Sequence, residues 1–369
     1  MDLKEIRPLV TVLIPIRNEE RYIGRCLEAV LAQGYPAERM EVLVIDGMST
    51  DGTRGIVQEI MDRGRQAIDH SPSPTLHRPS STVHRHPSIR LLDNPAKIVP
   101  SALNTGLSQA KGEILIRVDG HTRVAQDYVL HCTSALDQTE ADNAGGRMSA
   151  VGEGFFGRAV ALATSSPFGV GGARFHYSDE EEWVDTVYMG AWRRELFDRV
   201  GLFDEEMIRG QDDEFNYRLR AAGGQILLSP KIRSEYMVRS SPGALWHQYF
   251  QYGYWKVRVL QKHPRQMQPR QFVPPLFVGS LLLGALLAAL TSWGGYAVAL
   301  IAGTYLLANL ATSIWTAARR GWRYLPLLPP IFAILHLSYG SGFLVGLFRL
   351  AHRWRDRQGK VPFFETADA

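Results

Sequence analysis

Between Gln271 and Ala318 the chain carries no charged residue for 48 positions, and a second uncharged run of 25 covers Tyr324 to Phe348. About 20 apolar residues in a helix cross the hydrocarbon core of a bilayer, so runs of this length exclude a fully soluble enzyme. Apolar spans are expected at about 273–293 and 296–316, separated by Ser292-Trp293-Gly294-Gly295. A third is expected at about 325–348, interrupted by Pro326, Pro329, Pro330 and Gly340.

The remaining charge is divided accordingly. Residues 1–230 hold 25 Lys/Arg against 33 Asp/Glu, a net −8, and residues 231–369 hold 16 against 4, a net +12. The basic excess flanks the apolar runs, which favours membrane lipids over nucleic acid as its partner. Lys256–Arg270, Arg319–Arg323 and Arg349–Lys360 are all basic and all prefer the cytosolic side, whereas three full crossings place the last of them outside. Either the third segment is re-entrant, through Ser338-Tyr339-Gly340-Ser341-Gly342, or the tail departs from the rule. Pro242–His263 reads as an aromatic, basic amphipathic helix, suited equally to the membrane interface and to the surface of the N-terminal domain. Met1–Pro8 is charged and Leu9–Ile16 is too short for a signal-peptide core, so the N-terminal domain is expected to stay in the cytosol. Cys26 and Cys132 fit buried thiols of a reducing compartment. The expected division is a catalytic domain over 1–240, an interfacial helix region over 241–270, a multi-pass inner-membrane domain over 271–350 and a basic tail over 351–369.

Residues 1–235 alternate short apolar runs with helical periodicity, the pattern of an α/β domain with a largely parallel sheet. Strands are predicted at Val10–Ile14, Glu41–Ile45, Ile89–Leu92 and Ile114–Val118, and helices at Arg21–Gln33, Thr53–Met61 and Val99–Ala110. The stretch 64–88, rich in Ser, Pro and His, reads as a flexible insertion; His70, His77, His84 and His86 lack the spacing of a helical metal site.

Acids stand where parallel strands end, the place where open α/β sheets bind ligands: Asp46 after one strand, Asp119 after another. Asp119-Gly120-His121 sets two metal-ligating side chains two residues apart around a glycine that lets a phosphate approach, and a divalent ion there would neutralise a diphosphate. Val10-Thr-Val-Leu-Ile-Pro-Ile-Arg-Asn-Glu-Glu20, Val44-Ile-Asp-Gly-Met-Ser-Thr-Asp-Gly-Thr53 and Ala102-Leu-Asn-Thr-Gly106 precede that triplet, and Gln211-Asp-Asp-Glu-Phe-Asn-Tyr-Arg-Leu-Arg220 follows it. This succession resembles the family 2 inverting glycosyltransferases with a GT-A fold, a Rossmann-like mixed sheet. Ile116-Arg-Val-Asp-Gly-His121, Val184-Asp-Thr-Val187 and the C-terminal apolar segments look most like the ExoA-type succinoglycan-biosynthesis glucosyltransferases.

The resemblance implies a UDP-sugar donor whose nucleoside is held by Pro15, Arg17, Glu19 and Asp46. It also implies a divalent cation, Mn²⁺ or Mg²⁺, ligated by His121, which stands where most members have a second Asp, and by Asp119, which contacts the metal or the sugar–nucleotide. Asp212 takes the place of the catalytic base, with Asp213 a rival, and Glu214 with Arg218 reads as an i, i+4 ion pair. Lys97 and Arg117 are phosphate-side cations or solvated residues, Trp192 a sugar platform or a core residue, and Asp51 a helix cap left outside the site. Gln251-Tyr252-Gly253-Tyr254-Trp255 has Tyr where the processive members' motif has Arg, so a polymer synthase is not expected. The implied acceptor is a lipid-linked saccharide. Polyprenyl phosphate as acceptor, GDP-mannose as donor and a catalytically silent sugar-nucleotide-binding scaffold are the alternatives.

Overall fold

The computed structural model describes residues 7–69, 87–357 and 359–364. Its N-terminal part runs β1 (Val10–Ile16), α1 (Ile23–Leu31), β2 (Met40–Asp46), α2 (Thr53–Asp69), β3 (Ser88–Asp93), α3 (Val99–Gln109), β4 (Ile114–Arg117), β5 (Thr122–Val124), α4 (Tyr128–Gln138) and β6 (Asn143–Val151). It continues with α5 (Gly154–Thr164), α6 (Pro167–Val170), β7 (Glu182–Trp183), β8 (Tyr188–Arg193), α7 (Glu195–Val200), α8 (Gln211–Ala221) and β9 (Ile226–Met237). Four long helices follow: α9 (Pro242–Lys262), α10 (Val273–Leu290), α11 (Ser292–Arg320) and α12 (Leu328–Arg349). The expected insertion at 64–88 is helical through Asp69 and strand from Ser88; residues 70–86, with all four of its histidines, lie outside the described residues.

The strands form one mixed sheet in the order β3-β2-β1-β4-β8-β6-β9-β5, with β7 added against β9. The first four are parallel, β8 is antiparallel to β4 and β6, and β6 and β9 are parallel. Every residue of β1 and β2 is buried, because helices cover both faces of the sheet. Val10, Val12 and Ile14 face the layer built with α1, α2 and α4, while Leu13, Leu43, Ile45 and Leu115 face the layer built with α3, α7 and α8. Pro15 has no amide hydrogen to give, and it lies beyond Leu13, the last β1 residue paired with β4.

The apolar helices differ in what covers them. α12 lies against α9, α5, α10 and α11, and Ala159, Val160, Leu245, Leu328, Ile331 and Phe332 form one core between it and the N-terminal part. Tyr339-Gly340-Ser341-Gly342, the expected site of a re-entrant break, is continuous helix. The glycines there serve close approach: a Cβ on Gly342 meets the Phe250 carbonyl oxygen at 2.0 Å, and one on Gly253 meets that of Tyr339 at 2.0 Å. α10 and α11 expose most of their apolar side chains, among them Leu276, Leu286, Leu290, Trp293 and Leu307.

Past α12 the chain returns to the N-terminal domain. Leu202 N–H donates to the Pro362 carbonyl at 2.8 Å, Glu205 N–H to that of Lys360 at 2.9 Å, and Phe364 packs on the core under Arg194. The expected basic tail is thus a strap as far as residue 364.

Candidate active site

The carboxyl edge of the parallel strands is closed by loops bonded to one another. Asn18, in a left-handed conformation with φ 56°, accepts the Thr50 N–H on Oδ1 at 2.8 Å and donates its own N–H to Ser49 Oγ at 2.8 Å. Glu20 accepts from Gly52 N–H at 2.7 Å, and Glu19 N–H donates to Thr53 Oγ1 at 2.8 Å. Asp51 accepts from the N–H of Thr53 at 3.1 Å and of Glu20 at 3.3 Å, the capping task expected of it.

Asp46 is fully buried, and its oxygens are taken by the Ser49 hydroxyl and N–H and by Arg54, at 2.7 Å. Arg54 also donates to Asp93, which lies beside Asp46 in the register of β2 and β3 and is 60% exposed. Among the described residues only Oδ1 of Asp93 has a partner, so this acid, which nothing in the sequence singled out, is the more open carboxylate at that edge. Pro15 is buried in β1, and Arg17 is exposed, its guanidinium 3.4 Å from the Lys97 carbonyl.

Arg117 ends β4 with its side chain only 5% exposed. Its Nε donates to Asp119 Oδ1 at 2.7 Å and its Nη1 to Asp212, so one guanidinium ties two acids that are 93 positions apart. Tyr188 hydroxyl donates to the other oxygen of Asp119 at 3.1 Å. His121 Nδ1 meets Glu19 Oε1 at 3.1 Å, and its ring lies edge-on to Tyr236 at 5.3 Å. A Cβ on Gly120 would meet Ile16 at 2.6 Å, so the glycine lets the Asp119 turn cross the end of β1.

The electrostatics separate the two acids. Burial pushes the Asp119 carboxyl up, but Arg117, His121 and the Tyr188 hydrogen bond outweigh it and hold the group below the ordinary carboxylate range. Burial raises Asp212 to about 6, and the charges of Asp119 and Asp213 add to that rise while Arg117 opposes it. Asp213 pairs with Lys256 of α9, and Arg117 is the buried partner of two carboxylates instead of a solvated cation. Glu214 and Arg218 make their ion pair at 3.0 Å, joined by His263 at 3.1 Å. Trp192 is 2% exposed among Phe197, Phe203 and Phe215, a core residue.

Among the described residues no group of three or more His, Cys, Asp or Glu side chains could hold a metal by itself. A hard carboxylate and an imidazole at Asp119 and His121 match the donor types of Mn²⁺ and Mg²⁺, which commonly take one or two protein ligands and complete their shell from substrate phosphates. The donor set fits a cation that arrives with a diphosphate.

Residues 11–201 match the family profile described as Glycosyl transferase family 2. The chain is 29% identical to the succinoglycan biosynthesis protein ExoA of Rhizobium meliloti, over 90% of this chain and 93% of that one. It is 28% identical to a dolichyl N-acetyl-alpha-D-glucosaminyl phosphate 3-beta-D-2,3-diacetamido-2,3-dideoxy-beta-D-glucuronosyltransferase of Methanococcus voltae, over 69% and 74% of the two chains. In fold it is similar to the mannosyltransferase PcManGT from Pyrobaculum calidifontis, solved with GDP-Man and Mn²⁺, with TM-score 0.55, 22% identity and coverage of 94% and 88%.

Proposed function

The chain belongs to the family 2 glycosyltransferases, and we propose that it is a membrane-anchored inverting member, moving a hexose from a UDP-sugar to a lipid-linked saccharide in the synthesis of a cell-surface or exported glycan. The observation that carries the reading is the buried Asp119–Arg117–Asp212 link at the carboxyl edge of the sheet. A carboxylate whose pKa is about 6 is ionised at neutral pH and still basic enough to accept a proton in the transition state.

Asp212 takes the proton of an acceptor hydroxyl as its oxygen attacks the anomeric carbon, opposite the departing nucleoside diphosphate. Arg117 orients that carboxylate and keeps it charged. The nucleoside lies against the loops after β1 and β2, with Pro15 and Arg17 shaping the floor and Glu19, Asp46 and Asp93 offering carboxylates, Asp46 acting through Ser49 and Arg54. A divalent cation, Mn²⁺ or Mg²⁺, held by Asp119 and His121, supplies positive charge to the leaving diphosphate when bound. Arg209 and Arg239 lie near the Tyr236 and Tyr252 hydroxyls, which puts positive charge on the α9 side of the mouth, where an anionic lipid-linked acceptor enters.

Anchorage follows from the helices Pro269–Leu290, Ser292–Arg320 and Leu328–Arg349, each long and apolar enough to cross a membrane. An acceptor on a polyprenyl carrier stays in the bilayer, so the enzyme works at its cytosolic surface, in a bacterium that of the inner membrane. The test is consumption of a panel of nucleotide sugars by the purified protein in lipid with Mn²⁺ or Mg²⁺. UDP-glucose is the expected donor, and Asp212→Asn should lower turnover about 10²–10⁴-fold with the fold intact. Parental turnover by that variant removes Asp212 from the role of base.

A further inference from the structure

The apolar block begins and ends on one body. Just before α10, His263 Nε2 lies 3.1 Å from Glu214, Gln271 Nε2 donates to the Tyr217 hydroxyl at 2.6 Å, and Arg270 pairs with Asp185. Just after α12, Gln261 Nε2 donates to the Leu350 carbonyl at 2.8 Å and Arg353 pairs with Glu206, ahead of the backbone bonds from Leu202 and Glu205 to Pro362 and Lys360. A path that leaves and returns on the same side of a bilayer crosses it an even number of times. Three crossings are therefore incompatible with this fold.

Which helix stays behind follows from the packing. α10 and α11 are joined by Thr291 alone, and a Cβ on Gly284 meets Val298 while one on Gly294 meets Ala288, so the two form an antiparallel hairpin and cross together or not at all. The hairpin's partner must be apolar, since only 17% and 11% of the apolar stretches of its two helices are buried, against 44% for α12. The 18 residues of α10 reach about 27 Å at 1.5 Å per residue, close to the ~30 Å of a hydrocarbon core. Trp293 and Tyr296, 80% and 71% exposed, stand at the turn, the residue types that settle at headgroup depth. α12, in contrast, meets the globular part at its middle: His336 Nε2 lies 2.7 Å from the Phe168 carbonyl of α6.

We infer that the α10–α11 hairpin is the bilayer-crossing surface of this protein and that α12 does not cross, lying between the hairpin and the catalytic domain. This rests on the membrane-anchored reading given above. It places Lys256–Arg270, Arg319–Arg323 and Arg349–Lys360 on one side, as the positive-inside rule asks.

Single cysteines test it, because Cys26 and Cys132 are buried and silent to a membrane-impermeant maleimide. Glu38→Cys marks the catalytic domain, Arg357→Cys the strap and Gly295→Cys the hairpin turn; all three positions are exposed, and a Cβ on Gly295 meets nothing within 4 Å. In sealed vesicles of either orientation, Glu38→Cys and Arg357→Cys should label from one face and Gly295→Cys only from the other. Labelling of Arg357→Cys from the face of Gly295→Cys overturns the inference, and labelling of all three from one face denies any crossing. Carbonate washing separates the two levels: a protein released from the membrane refutes the anchorage itself, and one that is retained but shows the wrong sidedness refutes only the arrangement of its helices.

Discussion

Pro269–Leu290 and Leu328–Arg349 are helical segments of 22 residues each, the first a short turn running into α10, both apolar enough to span a bilayer, yet they have different neighbours. The first, with α11, shows its leucines outward; the second buries Phe332, Leu335 and Phe343 against the protein. Apolarity says that a helix avoids water. It does not say whether lipid or protein takes the water's place. What separates the two is where glycine is used: Gly253, Gly342 and Gly346 bring α9 and α12 backbone to backbone, whereas Gly284 and Gly294 bring α10 and α11 against each other.

The sharpest way to break this contrast is to add one methyl group to each region. Gly342→Ala puts its Cβ 2.0 Å from the Phe250 carbonyl oxygen and must part α12 from α9, a loss of about 3 kcal/mol or more that thermal unfolding in detergent would read. The loss should carry activity with it, because α9 supplies Lys256 to Asp213, next to Asp212, the proposed base. A smaller effect isolates that link. Lys256→Met removes the cation facing Asp213, and since the Asp213 charge raises the pKa of Asp212, the acidic limb of kcat/KM, expected near pH 6, should move up by about 0.5–1 unit. The sign follows from the base being active when deprotonated: the more negative its surroundings, the higher the pH it needs. The same substitution at Arg320, exposed at the end of α11, should leave the limb in place. The smallest effect has the opposite sign to the first. A Cβ on Gly303 of α11 meets nothing within 4 Å, so Gly303→Ala should stabilise the protein by about 0.5–1 kcal/mol through helix propensity alone. A destabilised Gly303→Ala would show that the Gly303 face of α11 also has a protein partner.

Much of the molecule is legible in its sequence. The alternation of apolar runs placed β1 to β4 and α1 to α3 to within a few residues, except that α2 extends to Asp69, because a doubly covered parallel strand is apolar on both faces. Asp119 and Asp212 were visible as acids at a strand end and a helix start. Their connection was not, since Arg117 lies 95 positions from Asp212 and its sequence neighbourhood suits a solvated cation equally well. Asp46 was legible as an acid at a strand end, but its engagement by Ser49 and Arg54, which leaves Asp93 the more open one, depends on the register of β2 with β3. The fate of α12 was least legible, because periodicity reports that a face is apolar and is blind to whether another backbone comes close enough to use its glycines.

The strap also sets an order of events during biogenesis. Lys360 N–H reaches back 156 positions to Asp204, and Arg353 reaches Glu206, on the loop that leads into Asp212. When the ribosome has finished the sheet, Arg258 and Lys262 of α9 are the first cations to reach those carboxylates, and the strap's contacts follow only after the hairpin has been made. The loop that leads into Asp212 is therefore gripped first by α9 and closed last by the strap, from residues at opposite ends of the apolar block.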